Sequence, residues 1–419
     1  MTAAGHHPAV SSAVEESIRR YGETEPRIHA FVRYDAEPSL LMDAALAATH
    51  ATGALLRMPI AVKDIFDTAG SPTERGSALY AGRIAEDDAD IVRDLRAAGA
   101  IIVGKTVTAE LAMAHPGPTR NPWDVSRTSG GSSMGSAAAV AAGVVPFAIG
   151  SQTNGSVVRP AAFCGVVGFK PTFGRLSRRG MFVTSPTLDQ VGGFARSVQK
   201  VAALVAAMAG EPLARWWSAD RTPPKLAALR TGEWEHADLA AQERFQADVD
   251  RLAAAGGPIA WPTPPEGLDD ARRVLQTIMY FEQARSLESD LRGREALVSE
   301  IARANLAEGA AISDEAYREA LGARARLVKA FALWATPYDA VLTPAAVGEA
   351  PTPETTGDPR FCTRWSLIGA PAIAIPSGLG PNRLPLGLQL VAAPGDDRRL
   401  LAAAAWCEAT LPWIGAPSL

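Results

Sequence analysis

The segment that most restricts what this chain can fold into is Gly130-Gly131-Ser132-Ser133-Met134-Gly135-Ser136, which runs directly into SAAAVAAGVVPFAIGS (136–151). The first part is polar and backbone-permissive. The second reads as an Ala-rich helix followed by a strand, VVPFAIG. A helix of such small residues permits close approach to neighbouring backbone, so it belongs in a packed interior. The loop feeding it, HPGPTRNPWDVSRTSGGSSMG (115–135), is rich in Pro, Gly, Ser and Thr, and QTNGSVVRPAAFCGVVGFKPTFGRLS (152–177) reads as a second, glycine-punctuated loop system. Long loops in a compact domain are usually functional or disordered, and the apolar flanks argue against disorder here.

Around this centre the chain alternates helix and strand. Ser11 and Ser12 can cap AVEESIRRYG, which stops at Gly22, and LLMDAALAATHATG (41–54) is a second helical stretch. Pro59 opens a short apolar run, IAV, that fits a buried strand with Lys63 at its end. Residues 88–106 read as a helix, a glycine stop and a strand. Residues 195–335 are mostly helical, charged and Ala-rich, with Pro-rich breaks at 222–225 and 261–267. DAVLTPAA (339–346), APAIAIPSG (370–378) and LPLGLQLVAA (384–393) return to strand, and DDRRLLAAAAWCEA (396–409) closes on a helix. The pattern predicts an α/β sheet built from both ends of the chain, with the helical middle as an insertion or cover. A two-domain split within the middle stays open at this level.

Charge and cysteine usage exclude several partners. Lys plus Arg number 41 and Asp plus Glu 45, a net charge of −4, which gives no electrostatic reason to expect nucleic acid or anionic membrane. Cys164, Cys362 and Cys407 are too few and too scattered for a disulfide scaffold or a Cys-based zinc site. The start carries no apolar signal core, and no run of ~18 or more apolar residues occurs. The expectation is a cytoplasmic, soluble protein without a metal.

The glycine-serine segment 130–136 admits three readings. It can be a flexible linker. It can be a phosphate loop, although it lacks the Gly-Lys-Ser/Thr ending. It can be a catalytic serine loop, which gains weight from Asn154-Gly155-Ser156, a second serine in a permissive turn after a buried strand. A serine needs a base. None of His6, His7, His29, His50, His115 and His236 sits in a nucleophile-elbow pattern, and His115, before Pro116, reads as a loop residue. Lysine replaces histidine if it is held neutral, and Lys63 is placed to be desolvated, which lowers a lysine pKa. The competing role for Lys63 is an ion pair with Asp64 or Asp67, and local sequence alone favours it.

Longer motifs resolve the choice. TSGGSSMGSAAAVAAGVVPFAIGSQTNGSVVRPAAFCGVVGFKPTFGRLSRRG (128–180), MPIAVKD (58–64), DAVLTPAA (339–346), LIGAPAIAIPSG (367–378) and LPLGLQLVA (384–392) resemble, in order, the hallmark segments of the amidase signature family of serine hydrolases. The resemblance covers most of 55–180 and 335–410 and is weak over about 195–335. It implies one large domain, 1–419, with a mixed central sheet covered by helices on both faces. It implies a Ser-cisSer-Lys triad: Ser156 as nucleophile, Ser132, after a cis Gly131–Ser132 bond, as bridging serine, and Lys63 as base. Backbone N–H groups of Thr153, Asn154, Gly155 and Ser156 would meet the oxyanion. The relay needs no metal, nucleotide or organic cofactor. The implied reaction is cleavage of an amide, carbamate or ureide in a small molecule through an acyl-enzyme, and a homodimer rests on similarity alone.

Two departures stand out. Asn154 replaces the usual first glycine of the nucleophile turn, and Asn is the least unfavourable non-glycine choice if φ > 0 is needed there. Arg159 lies three residues after Ser156 instead of two, a variant similar to small malonamidase-type members, as is HPGPTRNP (115–122). In those members the arginine holds a substrate carboxylate; the alternative is a structural ion pair or a clamp on a backbone carbonyl. Ser133 is expected to support the site, and Ser151 and Gln152 to line the acyl pocket. Cys164 reads as core, and Trp216-Trp217 as packing of the inserted helices. The rival readings are a glutamine-hydrolysing subunit of a tRNA-dependent amidotransferase, for which the chain is short and lacks a C-terminal basic run, and a non-catalytic binding or assembly protein on the same fold.

Overall fold

In chain order the elements begin with α1 (Ser12–Ile28), β1 (Phe31–Tyr34), α2 (Ala36–Ala47), β2 (Pro59–Lys63), α3 (Asp90–Ala97) and β3 (Ile101–Thr106). They are followed by β4 (Arg120–Asn121), β5 (Asp124–Thr128), α4 (Met134–Ala141), β6 (Phe147–Gln152), α5 (Val158–Cys164), β7 (Val167–Lys170) and β8 (Gln190–Ala195). The middle supplies α6 (Val198–Met208), β9 (Leu226–Ala228), α7 (Leu239–Ala254), β10 (Ile259–Ala260), α8 (Ala271–Leu291), α9 (Glu300–Ala311) and α10 (Asp314–Ala335). The chain ends with β11 (Ala340–Pro344), α11 (Arg360–Leu367), β12 (Ala372–Leu379), β13 (Pro385–Val391) and α12 (Asp397–Thr410). The computed structural model describes residues 12–49 and 52–419, so the cap at Ser11 and residues His6, His7 and His50 lie outside the described residues.

Eleven strands form one sheet in the order β1-β3-β2-β6-β8-β7-β12-β13-β11-β9-β10. Pairing is parallel at β3–β2, β2–β6, β11–β9 and β9–β10 and antiparallel at the other junctions. The chain is thus one large α/β domain with a mixed central sheet flanked by helices. β9 and β10 come from the helical middle, so that region extends the sheet as well as covering it.

Strand residues sort by size onto the two faces. Ile60, Val62, Phe147, Ile149, Ile373 and Ile375 join one core with α3, α6, α7 and α12. Ala61, Ala148, Ala372 and Ala374 join the other, against the alanines of α4 and the buried faces of α5, α8 and α10. Small residues on both partners let α4 and α5 lie almost against the sheet. Ser136 Oγ reaches the Ile149 carbonyl and Thr106 Oγ1, each at 2.8 Å, and the Gly135 N–H donates to the Val107 carbonyl at 3.0 Å. These bonds stitch the first turn of α4 to β6 and the end of β3, and so hold Ser132 and Ser133 over the strand ends.

Three expectations need correction. α1 does not stop at Gly22 but continues to Ile28 with Pro26 in its last turn. Burial of Val14 and Ile28, and the Glu25 carboxylate bonded to the Ala30 and Phe31 N–H groups, outweigh the ~1 kcal/mol helix penalty of glycine. β1 lies within residues 8–50, whose sequence reads as helices throughout. Residues 152–177 are not one loop system, since they contain α5 and β7. A seven-residue helix interrupted by Pro160 is too short for an apolar period to be visible in sequence.

A Cβ at Gly135 would stand 2.0 Å from the Ala30 carbonyl oxygen and 2.6 Å from the Val107 nitrogen, both backbone. Gly135→Ala is expected to destabilise the fold by at least about 1–3 kcal/mol, the usual cost of overpacking. A denaturant midpoint equal to that of the wild type would refute the close seating of α4.

Candidate active site

β2 ends on Lys63, and the strand that buries it sets its chemistry. Every β2 residue is buried and Lys63 is 0% exposed. Its Nζ lies 2.8 Å from Ser132 Oγ and 2.9 Å from Ser151 Oγ. The carboxylates that local sequence offers it are taken: Asp64 pairs with Lys105 at 3.2 Å and Asp67 with Arg83 at 2.7 Å. The ion pair favoured by local reading is therefore replaced by two hydroxyl contacts. Removal from water lowers the Lys63 pKa to about 7, and the field of Asp189 offsets part of that effect. A neutral amine has one lone pair and two N–H groups, so it can accept a proton from one serine while donating to the other.

Ser132 follows a cis peptide bond from Gly131 and is 1% exposed. Ser133 faces the backbone of Ser151, with its Oγ 3.2 Å from the Ser151 carbonyl and 3.3 Å from the Ser151 nitrogen. Gly150 lies directly beneath it, where a Cβ would be 2.7 Å from Ser133 Oγ. Ser133 thus fixes the end of β6, and Ser151 fixes Lys63. Neither lines the acyl pocket, in contrast to the expectation for Ser151.

Ser156 opens on a cavity of about 420 Å³, within the usual size for a small-molecule site. The turn that carries it leaves β6 and enters α5. Among the described residues, the N–H groups of Thr153, Asn154, Gly155 and Ser156 have no hydrogen-bond acceptor. Unengaged donors beside a buried hydroxyl are what an oxyanion needs. Asn154 does not adopt a positive φ, so its place does not rest on left-handed backbone. Its side chain lines the cavity and its Oδ1 lies 2.7 Å from Thr363 Oγ1. Gln152 points away from the cavity, its Oε1 accepting the N–H groups of Val157 and Val158 at 2.8 and 3.0 Å.

Arg159 has both characters raised for it. Its Nη2 donates to the Gly131 carbonyl at 2.8 Å and to Thr356 Oγ1 at 3.3 Å, a clamp on the serine loop. Its Nε and Nη1 are buried without a partner, and the residue lines the cavity. Buried donors of a cation that lack a partner favour an acceptor close by.

The middle region forms the opposite wall. α8 contributes Arg272, Gln276, Tyr280 and Gln283, and α9 contributes Asn305. Glu282 ties α8 to the sheet side, accepting from Thr187 N at 3.0 Å, Tyr317 Oη at 2.7 Å and the Ser185 hydroxyl. The neighbouring Asp189 accepts from the Thr184 and Ser185 N–H groups and the Thr153 hydroxyl. Nothing in local sequence marks Glu282 or the bond from Thr153 to Asp189, because these partners lie far apart in the chain. Trp216 is buried in the core of α6 and α12, not at the cavity. Cys164 is buried, its thiol pushed up by desolvation. Among the described residues, no group of His, Cys, Asp and Glu could hold a metal ion, and no helix is long and apolar enough to cross a membrane.

Comparison with known proteins places this architecture. The Amidase family model matches residues 12–401, and the chain belongs to that family. It is an enzyme that acts on carbon–nitrogen bonds. A glutamyl-tRNA(Gln) amidotransferase subunit from Acidothermus cellulolyticus is 34% identical, over 94% of this chain and 89% of that protein. Among solved structures, one described as an amidase superposes with a TM-score of 0.88 at 30% identity, covering 96% of both chains. A 6-aminohexanoate cyclic dimer hydrolase complexed with substrate superposes at 0.86 with 26% identity, covering 97% of this chain and 94% of the other. The match to the amidotransferase protein extends over 456 positions, more than the 419 residues of this chain, so that protein carries additional residues within the matched region and this chain is the shorter of the two.

Burial of the Lys63 amine has a consequence for stability. Between about pH 7 and the ordinary lysine value of 10.5, the unfolded chain holds a proton on Lys63 that the folded chain does not, so this group's contribution to stability rises with pH across that window. Lys63→Met removes that contribution. The stability of the variant relative to wild type is expected to be greatest below about pH 7 and to shrink toward pH 10.5. Urea titrations across that range check it, and a pH-independent difference would mean that the amine is not held neutral.

Proposed function

We propose that the chain hydrolyses the C–N bond of a small amide through an acyl-enzyme on Ser156. The observation that carries this reading is Lys63 Nζ held between Ser132 Oγ and Ser151 Oγ at 2.8 and 2.9 Å with no carboxylate partner among the described residues. Ser151 accepts one N–H, which leaves the lysine lone pair for Ser132. Ser132 passes its proton to Lys63 as it takes one from Ser156, and Ser156 Oγ attacks the carbonyl carbon. The carbonyl oxygen becomes an oxyanion facing the unengaged N–H groups of the 153–156 turn. The proton returns through Ser132 to the nitrogen, the C–N bond breaks and the amine leaves. Water then enters by the same relay and releases the acid.

The cavity favours a substrate bearing a carboxylate. Of its charged residues, Arg159 and Arg272 are cationic, and Asp358 is the one carboxylate among the described lining residues. Asp358 is already bonded to Arg360 at 2.6 Å. That leaves open donors and no open carboxylate, a poor match for an ammonium group.

The second reading, the glutamine-hydrolysing subunit of an amidotransferase, draws its support from the relatives, which favour it over a free-standing amidase. Both readings share the Ser156 chemistry and differ in the substrate and in the need for a partner. Hydrolysis of a dicarboxylic acid monoamide by the purified chain alone is expected; activity on glutamine only after partner proteins are added would establish the second reading instead.

Four further outcomes test the chemistry. A fluorophosphonate probe is expected to label Ser156 and to fail with Ser156→Ala. The kcat/KM of the wild type is expected to climb up to tenfold per unit as pH rises toward about 7, and to level above it. Lys63→Ala should lose about 10²–10⁴ of the rate, and near-wild-type turnover in that variant would reject the base. Arg159→Leu should lose activity on the carboxylated amide selectively. Equal loss on its neutral analogue would reject carboxylate recognition.

A further inference from the structure

We propose that Ser366, on α11, is a positioning residue that sets the direction of the Gly155 N–H in the oxyanion hole. The inference rests on the hydrolase reading above and concerns how its turn is held. It starts from two protons whose places are beyond choice. The backbone N–H groups of Val157 and Val158 can only donate, and both point at Gln152 Oε1, at 2.8 and 3.0 Å. That fixes the orientation of the Gln152 amide, so its Nε2 is the atom that faces Ser366 Oγ, at 2.9 Å. An amide nitrogen donates and does not accept. Ser366 Oγ therefore receives a proton from Gln152 and must direct its own elsewhere. Its remaining partner is the carbonyl oxygen of Asn154.

The polarity thus runs one way, from the start of α5 through Gln152 and Ser366 to the Asn154 carbonyl. Gln152 is 0% and Ser366 1% exposed, so water does not compete for these groups. In a trans peptide the carbonyl and the following N–H point in opposite directions. Holding the Asn154 carbonyl toward α11 turns the Gly155 N–H away from α11, and that N–H has no acceptor among the described residues. Were this peptide to rotate, a carbonyl oxygen would face the developing oxyanion in place of a donor.

α11 holds the same turn by two other contacts. Thr363, one helical turn before Ser366, bonds the Asn154 side chain at 2.7 Å. A Cβ on Gly155 would stand 3.1 Å from Pro359 Cβ and 3.2 Å from Cys362 Cβ, so the helix also packs directly on that glycine. The turn that follows β6 is therefore aligned by a helix about two hundred residues away in sequence.

The test is Ser366→Ala in the full chain, with Ser366→Cys as a weaker donor at the same place. Circular dichroism checks that each variant folds. Ser366→Ala is expected to lower kcat by about tenfold or more, short of the ~10²–10³ seen when an oxyanion donor is removed outright. KM should stay within about twofold and the pH midpoint should not move, because Lys63 is untouched. Affinity for a trifluoromethyl ketone, which forms a tetrahedral adduct with serine, should fall by the same factor as kcat. Ser366→Cys should lie between the two. If wild type is labelled at Ser156 and hydrolyses amides while both variants stay within twofold in kcat, the positioning role is overturned and the hydrolase reading stands. If KM rises with kcat unchanged, Ser366 shapes ground-state binding and the proposal is likewise overturned. If wild type shows neither labelling nor hydrolysis, the hydrolase reading itself falls and this proposal falls with it.

Discussion

A lysine amine buried without a carboxylate is the constraint around which this structure is arranged. An ammonium in that position would face a large desolvation penalty, and among the described residues Lys63 has hydroxyl partners and the more distant field of Asp189 to offset it. The amine is consequently held near neutrality, and a neutral amine differs in kind from an ammonium because it owns a lone pair. The nearby acids are kept from pairing with it: Asp64 is occupied by Lys105 and Asp67 by Arg83. Lys105 is equally buried but paired, and it carries no such opening. Two buried lysines one strand apart thus have different chemistry because one has a carboxylate and the other has serines.

That arrangement depends on how near α4 can come to the sheet. Ser132 reaches Lys63 because the helix that begins just after it is mostly glycine, serine and alanine, and because the sheet face beneath presents Ala61 and Ala148. Larger side chains on either partner would lift the helix and open the contact. The opposite face carries isoleucine, valine and phenylalanine and packs conventionally against α3, α6, α7 and α12. The two faces therefore divide the labour, one supplying apolar bulk and the other proximity.

The helical middle completes the site without contributing to the serine–lysine cluster. α8 and α9 wall the cavity, and Glu282 fastens α8 to the 184–189 loop whose Asp189 holds Thr153. This wall of the cavity is hence linked through hydrogen bonds to the turn that carries Ser156. Relatives named for different substrates share this frame, so the fold alone does not set the substrate.

Much of this was legible in the residues themselves. Glycine-serine segments, a short apolar run ending in lysine and an Ala-rich helix are local patterns, and local patterns dictate local conformation. They indicated an α/β sheet assembled from both chain ends, and the motif order pointed to Lys63, Ser132 and Ser156. The remainder depends on partners far apart in the chain. Local sequence favoured an acid for Lys63, the pocket wall was expected to hold Ser151 and Gln152, and nothing in the chain marked Ser366. Tertiary structure decided these because a hydrogen bond is set by which atoms meet in space. Which atoms meet follows from the packing of α4, α5 and α11 on one sheet, not from spacing along the chain.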